Sequence, residues 1–181
     1  VSDMRKTKKG AAKKKAFSVV ENGAAEKYLT FFIDRQLYAL PTSRIVEIIR
    51  IQPVTLFPNL PPYVKGVINL RGKIVPLIDM RLKFGKEPVP YDSRTSIIIA
   101  EDGEMTSGLI VDAVKDVRDV PKEQIFVSPG LKRGAGERYV CSIASLDKES
   151  AMVLDITRVL TERADTKAGS APEPALKTAA E

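Results

Sequence analysis

Apolar and polar residues alternate with a period of two over much of the central part of the chain, which is the pattern of β-strands. The runs Tyr28–Ile33 and Leu37–Leu40 are separated by a polar turn and predict a first hairpin. Ile45–Ile51 then resumes the alternation after a break at Pro41. The stretch Ile97–Ile99 is apolar throughout, which is typical of a strand that is buried on both faces.

The most distinctive segment is a predicted β-hairpin in the middle of the chain. Two aliphatic runs, Val67–Leu70 and Ile74–Ile78, flank the turn Arg71-Gly72-Lys73. The tip offers a cation and free backbone, but no nucleophile, histidine or pair of metal ligands. This composition indicates a surface for binding rather than for catalysis.

The remaining patterns complete a fold that is mostly β. Two more hairpins are predicted, from Thr95–Ala100 with Thr106–Val114 and from Arg138–Ile143 with Ala151–Leu154. Short helices are predicted after Asp79 and after Asp155, because each aspartate can cap a helix N-terminus. Roughly nine or ten short strands with frequent turn signals favour barrels or a sandwich over a parallel α/β sheet.

The segment Pro53–Pro62 interrupts the strands. It contains four prolines, which exclude a central strand and predict a rigid loop. Leu56, Phe57 and Leu60 are apolar, so we expect this loop to pack against the rest of the protein.

Composition excludes several classes of function. The chain of 181 residues has no histidine and one cysteine, Cys141, so Ser/His/Asp catalysis, zinc sites and iron–sulfur clusters are excluded. An internal disulfide is impossible, which suits the reducing cytoplasm. No apolar run reaches the ~18 residues of a membrane span. We therefore expect no metal, no cofactor and no membrane insertion.

The positive charge is concentrated near the N-terminus. Residues 1–26 carry seven basic and three acidic side chains, which gives +4 of the net charge of +6. We expect residues 1–26 and the Ala/Pro-rich residues 163–181 to be disordered tails around a folded domain at 27–162. The nearly neutral domain and an aromatic content of 6% argue against nucleic-acid binding.

The stretch from Tyr63 to Arg81, with Asn69-Leu70-Arg71-Gly72 at its centre, resembles the CheW family of bacterial chemotaxis coupling proteins. The similarity extends over about residues 27–162. It implies two intertwined five-stranded SH3-like barrels without catalytic activity. It also implies a cytoplasmic adaptor at membrane-associated receptor arrays, which joins the tips of chemoreceptors to the regulatory domain of the histidine kinase CheA.

The resemblance also implies two sets of binding residues. Those matched to the receptor-facing groove are Ile45, Glu47, Arg71, Val114 and Val117. Phe126 and Leu131 fall where the family contacts the kinase. The pattern alone favours a solvated turn residue for Arg71 and core positions for Val114 and Val117.

Two related functions stay open. The chain is also compatible with a CheW-like adaptor of another kinase pathway, such as pilus-based motility. It is further compatible with the regulatory domain excised from a CheA kinase, although it lacks a phosphotransfer histidine and glycine-rich nucleotide boxes.

Overall fold

The computed structural model describes residues 18–19, 24–103, 105–127 and 136–162, and of residues 18–19 only the backbone. Residues 1–17 and 20–23 of the predicted N-terminal tail and the whole tail at 163–181 lie outside these ranges, as does Leu131.

The described residues form twelve strands and two short α-helices. The strands are β1 (Ser18–Val19), β2 (Glu26–Ile33), β3 (Gln36–Pro41), β4 (Ile45–Arg50), β5 (Val64–Leu70), β6 (Lys73–Asp79), β7 (Ser96–Asp102), β8 (Met105–Val111), β9 (Ala113–Val120), β10 (Ile125–Val127), β11 (Val140–Leu146) and β12 (Glu149–Leu154). The helices are α1 (Met80–Lys83) and α2 (Ile156–Thr161). Asp79 and Asp155 cap them, as the sequence predicts.

The strands form two sheets, which confirms the prediction of a mostly β fold. One sheet has the order β4-β7-β8-β6-β5 and the predicted five strands. The other has the order β1-β10-β11-β12-β3-β2-β9, so it has seven strands in the part of the chain that is described. Because β3 near the N-terminus pairs with β12 near the C-terminus, the chain leaves the seven-stranded sheet, builds the other sheet and returns.

The strand β9 differs from the prediction. The sequence predicts one strand over Thr106–Val114, but β8 ends at Val111 and β9 begins at Ala113 in the other sheet. The charged residues of β9 hide its strand pattern, because it is an edge strand whose side chains alternate between solvent and protein. The chain therefore crosses between the sheets at the single residue Asp112.

Asp112 joins three segments by hydrogen bonds. Its backbone N–H donates to the carbonyl of Phe32 at 3.1 Å. Its carboxylate accepts from Arg81 Nε and Nη2 at 2.8 and 2.7 Å, and from the Asp34 N–H at 2.8 Å. The crossover is thus tied to α1 and to the turn between β2 and β3.

The core between the sheets contains a chain of aromatic rings. The rings follow one another in space in the order Phe31, Tyr38, Phe84 and Tyr139, and the centroids of neighbouring rings are 6.3, 5.4 and 5.4 Å apart. All four belong to one buried cluster together with Ile98 of the five-stranded sheet. The cluster therefore joins both sheets and the two helices in one hydrophobic core.

Lys83, at the end of α1, is a buried charge in this core. Its side chain is 2% exposed and its ammonium donates to the carbonyl of Glu162 at 2.7 Å. The ammonium also lies 4.6 Å from the ring centroid of Tyr63 and 5.3 Å from that of Tyr139. Burial, assisted by the positive charge of Arg138, lowers the pKa of Lys83 to about 8.

The expectation for the proline-rich loop is wrong. Leu56 is 79% exposed, and Phe57 and Leu60 are exposed as well. The loop is held instead by Val54, which packs on the core, and by the bridge between Thr55 and Val67. Its apolar tip therefore contacts solvent.

We predict that Asp112→Ala lowers the free energy of unfolding by about 2–3 kcal/mol, because it leaves Nε and Nη2 of Arg81 and the Asp34 N–H without their acceptor. Denaturant unfolding measures this change. Asp119→Ala is the control, since its ion pair with Lys27 is exposed and contributes at most ~1 kcal/mol. Equal effects of the two substitutions would contradict the role of Asp112 at the crossover.

We also predict that stability depends on pH through Lys83. Its folded pKa of about 8 lies below its ordinary value of 10.5, so between these values the unfolded chain binds more protons. The free energy of unfolding of the native protein, relative to that of Lys83→Met, should therefore rise by about 1–2 kcal/mol from pH 8 to pH 10. Parallel stability curves for the two proteins would show that Lys83 titrates normally.

Candidate functional site

The tip of the β5–β6 hairpin is a tight two-residue turn. Arg71 and Gly72 both have positive φ, at 51° and 83°, which matches the twist that such hairpins need. The side chain of Asn69 accepts a hydrogen bond from the Gly72 N–H at 2.8 Å and fixes the turn. Arginine at a left-handed position costs roughly 1–2 kcal/mol, so the fold alone does not favour Arg71 here.

The side chain of Arg71 forms an ion pair across the sheet. Its Nη2 lies 3.1 Å from Oε2 of Glu47, and the two side chains are 79% and 22% exposed. Glu47 is on β4, and β4 and β5 are the two ends of the five-stranded sheet. The pair therefore shows that the sheet curls until the hairpin tip meets the opposite edge.

Several apolar residues are close to Glu47 or Arg71 along the sequence. Glu47 faces inward with Ile45 and Ile49, while its neighbours Val46 and Ile48 are exposed on the outer face of β4. Ile74, just after the tip of the hairpin, is exposed too. We call these residues the hairpin–β4 surface: Val46, Glu47, Ile48, Arg71 and Ile74.

The other predicted receptor-binding residues lie at different depths. Ile45 and Val114 are partly buried against the central core cluster. Val117 is exposed on β9, the edge strand of the seven-stranded sheet. The structure thus brings Glu47 and Arg71 into direct contact, and it leaves Ile45 and Val114 half-buried, with part of each side chain against the core.

The predicted kinase-binding residues are only partly described. Phe126 is half-buried on β10, where it lies opposite Ile143 in the seven-stranded sheet. Leu131 falls outside the described residues. Phe126 is therefore in a different sheet from the hairpin–β4 surface.

Part of the exposed apolar surface is not predicted from the sequence. Leu56 and Phe57 are expected to be packed but are exposed, and the exposed Val46 and Ile48 have no predicted binding role. The sequence does contain an indication that these residues are exposed. An apolar residue on the outward face of a strand, or in a loop without periodicity, has no place in the core.

The described ranges contain neither a metal-binding cluster nor a membrane-spanning helix. No cluster of three His, Cys, Asp or Glu side chains there is arranged to hold a metal ion. None of the helices described is long and apolar enough to cross a membrane.

The fold and this surface define a β-rich domain in which β4 holds one partner of an ion pair on one face and exposed aliphatic side chains on the other, features suited to contact with another protein. The sequence profile of the CheW-like domain matches residues 27–164. The chain belongs to this family.

Individual relatives agree with the assignment. The chain is 33% identical over 136 residues to the chemotaxis protein CheW of Klebsiella aerogenes, covering 75% of this chain and 82% of that protein. It is 31% identical to the chemotaxis protein CheW of Bacillus subtilis, with 72% and 82% covered. The crystal structure of the scaffolding protein TtCheW from Thermoanaerobacter tengcongensis is similar with a TM-score of 0.68, at 30% identity, covering 72% of this chain and 89% of that one.

We predict that Arg71→Asn is more stable than Arg71→Val by about 1–2 kcal/mol. Both substitutions remove the ion pair with Glu47, but asparagine tolerates a left-handed backbone and a β-branched residue does not. Thermal and denaturant unfolding of the two variants measures the difference. Equal stabilities would show that the turn does not hold Arg71 in a left-handed conformation.

Proposed function

We propose that this chain is a non-enzymatic adaptor that couples chemoreceptors to the histidine kinase CheA. The proposal places it in the cytoplasm, at membrane-associated receptor arrays. Membership of the CheW-like family supports it, as do relatives named chemotaxis protein CheW and a similar structure described as a scaffolding protein.

The observation that carries the proposal is the Arg71–Glu47 pair. Arg71 occupies a strained backbone position and is mostly exposed, so its contribution to the free energy of folding is small. Arginine is typical of interface hot spots, because a partner that excludes water strengthens its hydrogen bonds. A binding role therefore explains a residue that the stability of the turn does not require.

The five residues of the proposed receptor site would have two different roles. Arg71, Glu47 and Val117 would contact the receptor tip directly. Ile45 and Val114 would hold β4 and β9 in position from below, since both pack on the central cluster. Truncating these two should therefore change receptor binding through the shape of the site.

The proposed kinase site is on the seven-stranded sheet. Phe126 on the short strand β10 would contact the regulatory domain of CheA, together with Leu131. This arrangement would leave the hairpin–β4 surface available while the kinase is bound, because β10 and β4 belong to different sheets.

The alternatives use the same surfaces. An adaptor of another kinase pathway, including pilus-based motility, would have the same fold and the same exposed arginine. An excised regulatory domain of CheA would bind receptors but would not act as a separate link to the kinase. Partner choice distinguishes these functions.

The test is a pull-down of the full chain with purified CheA and a receptor cytoplasmic fragment at ~150 mM salt, which screens the basic N-terminal residues. We expect a complex that contains all three proteins. Arg71→Glu should reduce receptor capture by about tenfold or more and abolish receptor control of kinase activity, because it places two carboxylates side by side.

Arg94→Glu is the matched control. Arg94 is 78% exposed and pairs with Asp92 at 3.1 Å, so it has the same chemistry as Arg71 at another place. It should leave receptor capture unchanged. Normal kinase control in Arg71→Glu would contradict the receptor site, whereas capture of neither partner by folded protein would favour another pathway.

A further inference from the structure

We propose that the cavity beside Lys83 binds a small organic carboxylate, whose anionic group meets the Lys83 ammonium while its hydrocarbon body packs on apolar walls. The cavity has a volume of about 480 Å³. It lies between the β5–β6 hairpin, the beginning of β8 and the end of α2. Its size is in the range of small-molecule sites.

The Lys83 ammonium forms no ion pair with a carboxylate of the described residues, and the carboxylate of Glu162, which also lines the cavity, attracts it only from a greater distance. The Lys83 ammonium has three N–H donors, and among those residues the carbonyl of Glu162 is its one hydrogen-bond acceptor. Within the same residues no carboxylate comes within ion-pair distance of it. A buried ammonium with unused donors is costly, so an anion in the cavity would be bound favourably.

A second cation adds to the positive potential. The guanidinium carbon of Arg138 lies 5.1 Å from the ring centroid of Tyr139, and the Lys83 ammonium lies 5.3 Å from the same centroid. Two positive charges therefore lie near one aromatic ring, while Glu162 is the one acidic residue among the described residues that line the cavity. A neutral ligand would gain less from this arrangement than an anion.

The walls select for an apolar body. The aliphatic lining residues come from both strands of the hairpin, from β8 and from α2: Val64, Pro76, Ile78, Met105 and Leu160. Inorganic phosphate or sulfate would leave these groups uncovered. A carboxylate with a short aliphatic chain would bury them and use the ammonium at the same time.

The site is separate from the proposed receptor contact. It involves the end of the hairpin that is remote from Arg71 and joins it to α2, on which the central core packs. A carboxylate bound there would bridge the two elements and stabilise the native protein in proportion to its concentration. The inference therefore does not depend on the proposed function.

The test is a titration of the isotope-labelled full chain with hexanoate, followed by amide chemical shifts. We expect saturable shifts centred on Tyr63, Ile78 and Leu160. Hexan-1-ol and inorganic phosphate should each bind at least about tenfold more weakly, because hexan-1-ol lacks the carboxylate and phosphate lacks the hydrocarbon chain. Absence of saturable shifts, shifts centred elsewhere, or equal affinity for either comparison compound would overturn the proposal.

Variants locate the site independently. Lys83→Met should weaken hexanoate binding about tenfold or more, and Lys148→Met, which removes an exposed lysine elsewhere, should not. Thr106→Phe fills the cavity from its lining and keeps the ammonium, so it should also abolish binding even where Lys83→Met fails to fold. Unchanged affinity in a folded variant of either kind would contradict the assignment.

Discussion

The crossing of the chain between its two sheets at Asp112 is the constraint on which the rest of the structure depends. A strand that changes sheets within one residue leaves its backbone without regular partners at that point. Asp112 replaces them with hydrogen bonds to Phe32, Arg81 and Asp34, so the crossover is fixed to α1 and to the first hairpin. This fixed crossover allows β9 to form an edge of the seven-stranded sheet while β8 stays inside the five-stranded sheet.

The same interleaving determines where partners can bind. Because both chain ends of the domain return to the seven-stranded sheet, the middle of the chain is free to form a sheet of its own, with β4 and β5 at its ends. The Arg71–Glu47 pair brings those ends together. The hairpin–β4 surface is therefore made of two segments that are distant in the sequence and that only the curled sheet places side by side.

Local patterns predicted most strands, both helix caps and the hairpin with Arg71 at its tip, because alternation and capping are properties of neighbouring residues. They missed β9, where charges on an edge strand conceal the period. They also failed for Leu56 and Phe57, which are apolar but exposed, and they gave no indication that Lys83, a charged residue, is buried. Whether a residue meets solvent there depends on contacts between segments, which no local pattern contains.

These failures have a common physical meaning. A chain selected for stability alone would avoid an arginine with positive φ, aliphatic groups on an outer strand face and a lysine in an aromatic core, since each lowers the free energy of unfolding. All three lie on or beside the five-stranded sheet, although Arg35 in the β2–β3 turn also has positive φ and Val117 is exposed on β9 of the other sheet. Proteins break local rules at functional sites, so a group of such exceptions around one sheet is a candidate for function. In this protein the exceptions indicate binding, because they present a mostly exposed arginine, an ammonium without an ion pair among the described residues and uncovered apolar surface.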